Sequence, residues 1–431
     1  MSTQRRNLIP DPIAGTIELP TWLVKIKDQP AIRRMLFIRQ LGLKAYVDFP
    51  GAIHTRYSHS LGTMHLAGKC SELLIQKMND KGKRILADNL RINKEEIMTA
   101  GFLHDIAHGP FSHSVDFAMK MITGKTHQDL AEDVIQNHLP SDLGNWVDRK
   151  QVIKLIRGNH DYPFLSEIID GPLDVDKLDY LLRDAHHVGL RYSFDLDHFL
   201  GSHTILGDEE SLQTCRLGLE NSPQAIVTTE LFLVVWKSMY DLVYYVQDSR
   251  IAEKMLEKAI LLNQDKKIIK KSFSNIFEFL KLDDDKLLTM LSDLDEFSSE
   301  IVTNIKGNKM YKVVVDIDLN PKNFQMSPEF ISSLNEEEKV CEEISQQLNL
   351  KLGKENYQYI CDIITSKSPK EIHIDEVNEE TGDYLTLREK SNIVGALQAL
   401  RRLKVYVNPS LDDIPTETVI YENVKELIEG L

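Results

Sequence analysis

The sequence points to a mainly α fold: a large helical domain over 1–305, then a smaller C-terminal α+β domain over 306–431. Apolar residues recur at three and four residues in segment after segment up to about residue 300. Strand signals, β-branched residues in partial alternation, gather only after residue 310. Of the 14 histidines, 13 lie at or before His203, so the histidine chemistry belongs to the helical part. A length of 431 residues agrees, at roughly 150 residues per domain, with two or three domains.

Taken in order, residues 1–30 read as an irregular arm, broken by Pro10, Pro12, Pro20 and Pro30. An amphipathic helix is predicted over 32–41 and a loop over 47–51. Helical periodicity follows around 58–79, 94–107, 112–123, 127–138, 149–157 and 174–187. One long helix is predicted over 228–263. The acidic stretch 282–300 forms a helix or a boundary. Segments 313–317, 371–377, 384–387 and 403–407 read as strands, with helices around 335–349 and 391–402 between them.

The charge balance, 51 basic against 66 acidic residues, gives −15. That argues against a broad nucleic-acid or anionic-membrane surface, since both need a positive field. It leaves room for a small phosphate ligand in a local basic pocket. No run of eighteen apolar residues is present, so no membrane span is expected. The polar N-terminus is not followed by an apolar signal core. Four scattered cysteines make no disulfide framework, and a reducing, cytoplasmic setting is expected.

The chemistry centres on His104-Asp105-Ile106-Ala107-His108-Gly109-Pro110. His104 and His108 are spaced i,i+4 and share a helix face. Asp105 adds a hard oxygen, and Gly109-Pro110 breaks the helix. Imidazole with carboxylate suits Mn, Fe, Co, Ni or Zn. Alone, such a pair is more often a cap or a solvated surface feature. Two further segments shift the balance. Arg56-Tyr57-Ser58-His59 places an arginine and a histidine at a helix start. In 174–184, Asp176, Lys177, Tyr180 and Asp184 fall within an arc of about 100° on a helix. Leu178, Leu181, Leu182 and Ala185 cover the opposite arc and face a core. The bland alternative is an ordinary surface helix. The sharper one is a polar face looking into a cleft, with a carboxylate for metal, a lysine and tyrosine for phosphate, and a carboxylate for a sugar hydroxyl.

The order His59 … His104-Asp105 … Asp176 resembles the H…HD…D signature of the HD-domain phosphohydrolase superfamily. It is most similar to the deoxynucleoside triphosphate triphosphohydrolase branch, which includes the sterile-alpha-motif HD enzymes of animals. Supporting stretches are Asp11-Pro12-Ile13, Gly15-Thr16-Ile17-Glu18-Leu19, Arg39-Gln40-Leu41-Gly42, Phe49-Pro50-Gly51-Ala52, His108-Gly109-Pro110-Phe111-Ser112-His113 and Asp174-Val175-Asp176-Lys177. They cover roughly 8–200, in order.

The resemblance implies a site. His59, His104, Asp105 and Asp176 would hold a divalent metal (Mn, Fe, Mg, Ni, Co or Zn). Arg56, Lys177 and Tyr180 would hold a triphosphate. His108, His113 and His127 would line the reaction centre, with Asp116 orienting a histidine and His113 the general acid. Gln40 and Asp184 would touch the nucleoside, and Tyr244 fits a substrate-side position. His54, His65, His138 and His160 read as solvent or capping residues, and His186-His187 as packing. The implied reaction is water attack on the α-phosphorus of a dNTP, releasing nucleoside and triphosphate. The implied assembly is a homo-oligomer. Two departures stand out. The stretch 236–246 offers aromatics and Lys237 where relatives carry arginine and histidine. In the branch's pocket for an activating nucleotide, Asp28 matches but Arg33 and Leu36 do not. Alternatives are therefore an HD phosphodiesterase or phosphatase on another nucleotide, or a nucleotide-binding regulatory module with weak catalysis. A single-strand nuclease is disfavoured by the −15 charge.

Overall fold

The structure, a computed structural model, describes residues 7–430 except 193, 194, 321–323, 325, 366, 367 and 398–400. Its first element is an antiparallel hairpin of β1 (Leu8–Asp11) and β2 (Gly15–Glu18). Asp11 Oδ1 accepts the N–H groups of Ile13 and Ala14, and Gly15 takes a φ of 77°, which closes the turn. The segment expected to be an irregular arm thus holds a hairpin over 8–18. The helix expected over 32–41 is shorter: Pro30–Arg34, then a 3₁₀ turn Met35–Phe37. Arg39 bridges Thr55, and the Gln40 N–H donates to His54 O at 3.0 Å. These cross-chain bonds outcompete the next helical turn.

The centre of the fold is α1 (Arg56–Asp80), beside α2 (Lys94–Leu103). Thr55 starts α1, its N–H donating to Ser58 Oγ at 3.3 Å in a capping box. Then come α3 (Asp116–Thr123), α4 (His127–Asp133) and α5 (Val175–Val188). A π-helical turn, Val134–His138, ends the segment expected as one helix over 127–138. The expected helix over 228–263 is divided into α6 (Pro223–Met239), a π-helical turn Tyr240–Tyr244, and α7 (Gln247–Leu261). The turn brings Tyr244 to Tyr180 on α5, with ring centroids 6.0 Å apart. The acidic stretch forms two helices, α8 (Asp284–Ser292) and Glu296–Lys306, capped by Asp283 and Asp295.

Two sheets flank the helices. The first joins β3 (His203–Leu206) and β4 (Arg216–Leu219), which were not anticipated, to β7 (His373–Val377) and β8 (Tyr384–Thr386) in the order β3-β4-β7-β8. The second has β9 (Arg401–Val407) between β5 (Lys312–Asp318) and β6 (Tyr359–Thr365), antiparallel to both. Strand β6 was missed because its run Tyr-Ile-Cys-Asp-Ile-Ile-Thr lacks alternation; its first five residues are buried. The helix expected over 391–402 survives only as Asn392–Ala396. Residues 398–400 lie outside the described residues, and from Arg401 the chain is recruited into β9 by two neighbours at once. Helices Glu337–Lys351 and Glu417–Gly430 cover this sheet, and Ile344, Leu348, Tyr359, Val405 and Val424 form a second core. No helix among the described residues is long and apolar enough to cross a membrane. All four cysteines are unpaired and buried.

Helices α1 and α5 approach closely because position 62 is glycine. A Cβ there would stand 1.8 Å from Asp179 Oδ1 and 2.4 Å from Arg183 Nη2. Gly62→Ala is expected to cost roughly 3 kcal/mol by overpacking a buried ion pair. Denaturant unfolding checks this; a midpoint equal to wild type contradicts it.

Candidate metal centre and active site

Three pieces of local structure converge. His59 lies on the first turn of α1, His104 caps the end of α2 with Asp105 in the turn beyond it, and Asp176 lies at the start of α5. His59 Nε2 stands 2.9 Å from Asp176 Oδ1 and 3.3 Å from His104 Nε2. His104 Nε2 stands 3.4 Å from Asp176 Oδ1 and 3.3 Å from Asp105 Oδ1. Ligand bonds of about 2.1 Å at right angles place neighbouring donors about 3 Å apart, so this donor set fits a divalent cation. The other ring nitrogens are engaged: His59 Nδ1 lies 2.8 Å from Asp179 Oδ2, and His104 Nδ1 lies 2.9 Å from Gly101 O. Both Nε2 atoms therefore face the centre, where a cation would replace the proton that each shares with the carboxylates.

The electrostatics agree. Burial alone lowers a histidine pKa, yet Asp176 and Asp179 together push His59 up to about 10. His104 is also raised, against burial, by Asp105 and Asp176. A site that raises the proton affinity of these imidazoles is a site short of positive charge. Asp105 lies well below the usual carboxylate range despite burial, because Arg56 and His104 face it. Arg56 Nη1 donates to Asp105 Oδ2 at 2.6 Å, and its Nε donates to Ser112 Oγ at 2.8 Å.

Behind the donors lies a fully buried ionic chain. Asp179 accepts from Arg183 Nε (2.8 Å) and Nη2 (2.9 Å), and Arg183 Nη1 donates to Asp11 Oδ2 at 2.8 Å. The sequence reading assigns no role to Asp179, Arg183 or Asp11. Their i,i+4 spacing (179 and 183) was the available signal. This buried salt bridge lies on the flank of α5 next to Asp176, outside the arc of Leu178, Leu181, Leu182 and Ala185.

In front lies a histidine cluster. His108 and His127 stack at 4.1 Å between centroids. His113 Nδ1 lies 2.8 Å from Asp116 Oδ2, and His127 Nδ1 lies 3.5 Å from the same oxygen. Burial, then Arg56 and His127, holds His108 well below the usual histidine range. Asp116 stays well below the carboxylate range against burial, through His113 and His127. His113 is the open member, its side chain 71% exposed.

A cavity of about 550 Å³ runs from the donors, walled by Gln40, Arg56, Lys177, Tyr180, Asp184 and Tyr244. His104, Asp105, His108, His113, His127 and Asp176 also line it; His59 sits behind. Gln40 Oε1 is buried without a hydrogen-bond partner among the described residues. Lys177 Nζ is bonded to Gly171 O at 2.9 Å and to Asp174. Asp184 is held on both oxygens, by Tyr244 OH at 2.8 Å and by His54 Nε2 at 2.7 Å. His54 is thus buried and bonded, stacked on His187 at 4.3 Å, and not a solvent residue as expected. His160 is buried too, accepting from the Tyr162 N–H at 3.0 Å.

The loop linking the two clusters is strained. Phe111 and Ser112 both take a φ of 57°, which costs a side-chain-bearing residue roughly 1–2 kcal/mol each.

Residues 56–184 match the HD domain, and residues 213–414 match the HD associated region. An uncharacterized protein of Methanocaldococcus jannaschii is 31% identical over 319 residues, 73% of this chain and 61% of that protein. The deoxynucleoside triphosphate triphosphohydrolase SAMHD1 of Bos taurus is 26% identical over 405 residues, 85% of this chain and 64% of that protein. A SAMHD1 homolog of the same name from Dictyostelium discoideum is 27% identical over 350 residues, 77% of this chain and 64% of that protein. The chain spans less than two thirds of the length of these three. The crystal structure of a hypothetical protein from Aquifex aeolicus shares the fold, with a TM-score of 0.69 over 97% of this chain and 99% of that one, at 23% identity.

The bond from Asp179 to His59 predicts an effect without loss of a donor. Asp179→Asn is expected to weaken Mn²⁺ binding about 10- to 100-fold, and Asp176→Ala to weaken it further. Calorimetric titration on folded protein checks both; wild-type affinity in either contradicts the assignment.

Proposed function

The chain belongs to the HD-domain family, and on that premise we propose a metal-dependent phosphohydrolase acting on deoxynucleoside triphosphates, which it cleaves at the α-phosphorus to nucleoside and inorganic triphosphate. The observation that carries this reading is the convergence of His59, His104, Asp105 and Asp176 at the end of a cavity walled by Arg56, Lys177 and Tyr180. The names of the bovine and Dictyostelium relatives support the substrate.

When bound, the cation supplies Lewis acidity toward a phosphoryl oxygen. The chain's own residues do the rest. Arg56 keeps the part of its fork not spent on Asp105 and Ser112 for the phosphates. Lys177 adds a point charge, and Tyr180 a hydroxyl. Gln40 Oε1, buried and unpartnered, accepts from the nucleoside. Asp184, fixed by His54 and Tyr244, faces the sugar 3′-hydroxyl. His113 is the general acid on the departing 5′-oxygen: Nδ1 rests on ionised Asp116, and Nε2 carries the transferable proton. His108 stays neutral near pH 7 and orients the cluster with His127.

One observation favours a second reading. Cations lining the cavity are already paired: Lys44 with Glu253 at 2.6 Å, Arg250 with Asp362 at 2.7 Å, Lys370 with Asp170 at 2.9 Å. Trp236, Tyr240 and Tyr244 add aromatic lining to the cavity. A nucleotide with fewer phosphates, cleaved by phosphatase or phosphodiesterase chemistry, fits that lining.

Incubation with each dNTP, GTP, nucleoside monophosphates and cyclic dinucleotides, with Mn²⁺ or Mg²⁺, separates the two. Nucleoside plus triphosphate from a dNTP is the expected outcome; orthophosphate or a monophosphate from the others supports the second reading, and no turnover contradicts both. His113→Ala is expected to lower kcat about 10²- to 10⁴-fold, as loss of a general acid does. Wild-type kcat would remove it from that role.

A further inference from the structure

Helix α8 reaches the site with one side chain. Asp284, the first residue of α8, is 3% exposed, and its two oxygens serve two different segments. Oδ1 accepts the Phe111 N–H at 2.6 Å, and Oδ2 accepts the Arg39 N–H at 3.0 Å. One segment carries Gln40; the other runs from His108 to His113. A second tie lies alongside: Ser112 Oγ donates to Arg39 O at 2.6 Å and accepts from Arg56 Nε at 2.8 Å. Phe111 and Ser112 hold consecutive left-handed conformations, which persist only where the surroundings over-determine them. Gly42 completes the clamp, since a Cβ there would stand 2.6 Å from Phe111 O. Arg34 Nε donates to Leu282 O at 2.6 Å and fixes the chain entering α8.

We propose that Asp284 is a positioning residue: its carboxylate ties residue 39 to residue 111, holds the strained turn, and so aims Arg56 and His113 at the substrate. It contacts neither the metal donors nor the cavity. Burial pushes its carboxyl up to about 6, which the two amides and the guanidinium groups of Arg39 and Arg34 only partly offset. A fold that tolerates such a group behind a reaction centre is keeping it for the geometry it imposes. The proposal rests on the reading of 104–127 as the reaction centre.

The test compares Asp284→Asn, Asp284→Glu and Asp283→Ala. The amide keeps one acceptor oxygen and turns its NH₂ toward the other N–H. The Asp283 change removes the cap of the same helix, which accepts the Lys286 N–H at 2.9 Å, without touching the turn. With a dNTP and Mn²⁺, Asp284→Asn should lower kcat about 10- to 100-fold with KM within about threefold, the scale of a small misplacement. Asp284→Glu should recover part of that kcat. Asp283→Ala should lower the melting temperature and leave kcat within about twofold. Hydrogen exchange over 105–115 should quicken in Asp284→Asn and not in Asp283→Ala. Near-wild-type kcat in Asp284→Asn, or equal kcat losses in Asp284→Asn and Asp283→Ala, would overturn the proposal. If wild type turns over no dNTP, the substrate reading fails by itself, and unchanged exchange over 105–115 in Asp284→Asn then overturns the positioning role.

Discussion

Arg183 has no exposed surface, and the fold around the metal donors follows from satisfying it. A buried guanidinium must find carboxylates, and it finds Asp179 on its own helix and Asp11 in the N-terminal hairpin. Removing either would strand a buried charge, at a cost of about 3–5 kcal/mol. The pair forces α1 to pass close by, which only Gly62 permits. Asp179 Oδ2, which accepts Arg183 Nε, also holds His59 Nδ1, and this turns His59 Nε2 toward His104 and Asp176. The hairpin, α1 and α5 are thus fastened by one ionic chain that ends at the first donor.

A chain of net charge −15 builds a local demand for cations from this arrangement. Asp105, Asp176 and Asp179 surround buried His59 and half-buried His104 and raise the proton affinity of both. A few ångströms away the balance reverses. His108 is kept neutral by burial, Arg56 and His127, while exposed His113 leans on ionised Asp116. In the proposed reaction the same residue type thus serves as a donor in the acidic pocket and as proton carrier at its rim. Arg56 joins the two by bonding both Asp105 and Ser112.

What the sequence disclosed and what it hid divide by distance along the chain. The proposed donors His59, His104, Asp105 and Asp176 stood out because a motif fixes their order, and α5 adds a clear helical periodicity. Lys177, Tyr180 and Asp184 could be placed on one face from the helical repeat alone. Asp11 and Arg183 pair across 172 residues, and Asp284 reaches Phe111 across 173, so no local pattern signals them. His54 reads as a loop histidine until Asp184, 130 residues away, is seen to hold it. The break at Tyr240–Tyr244 went unseen because a π-helical turn keeps nearly the same apolar rhythm as the α-helices beside it. Strand β6 hid because a strand buried on both faces has no alternation to read.

The proposed chemistry depends on one centre formed by four donors from three segments. Anomalous diffraction at the manganese edge, from crystals of the chain grown with Mn²⁺, locates it directly. The predicted result is a single strong peak within bonding distance of His59 Nε2, His104 Nε2, Asp105 and Asp176. A peak among His108, Asp116 and His127 instead, which also cluster closely enough to hold an ion, would contradict it. So would no ordered metal at all.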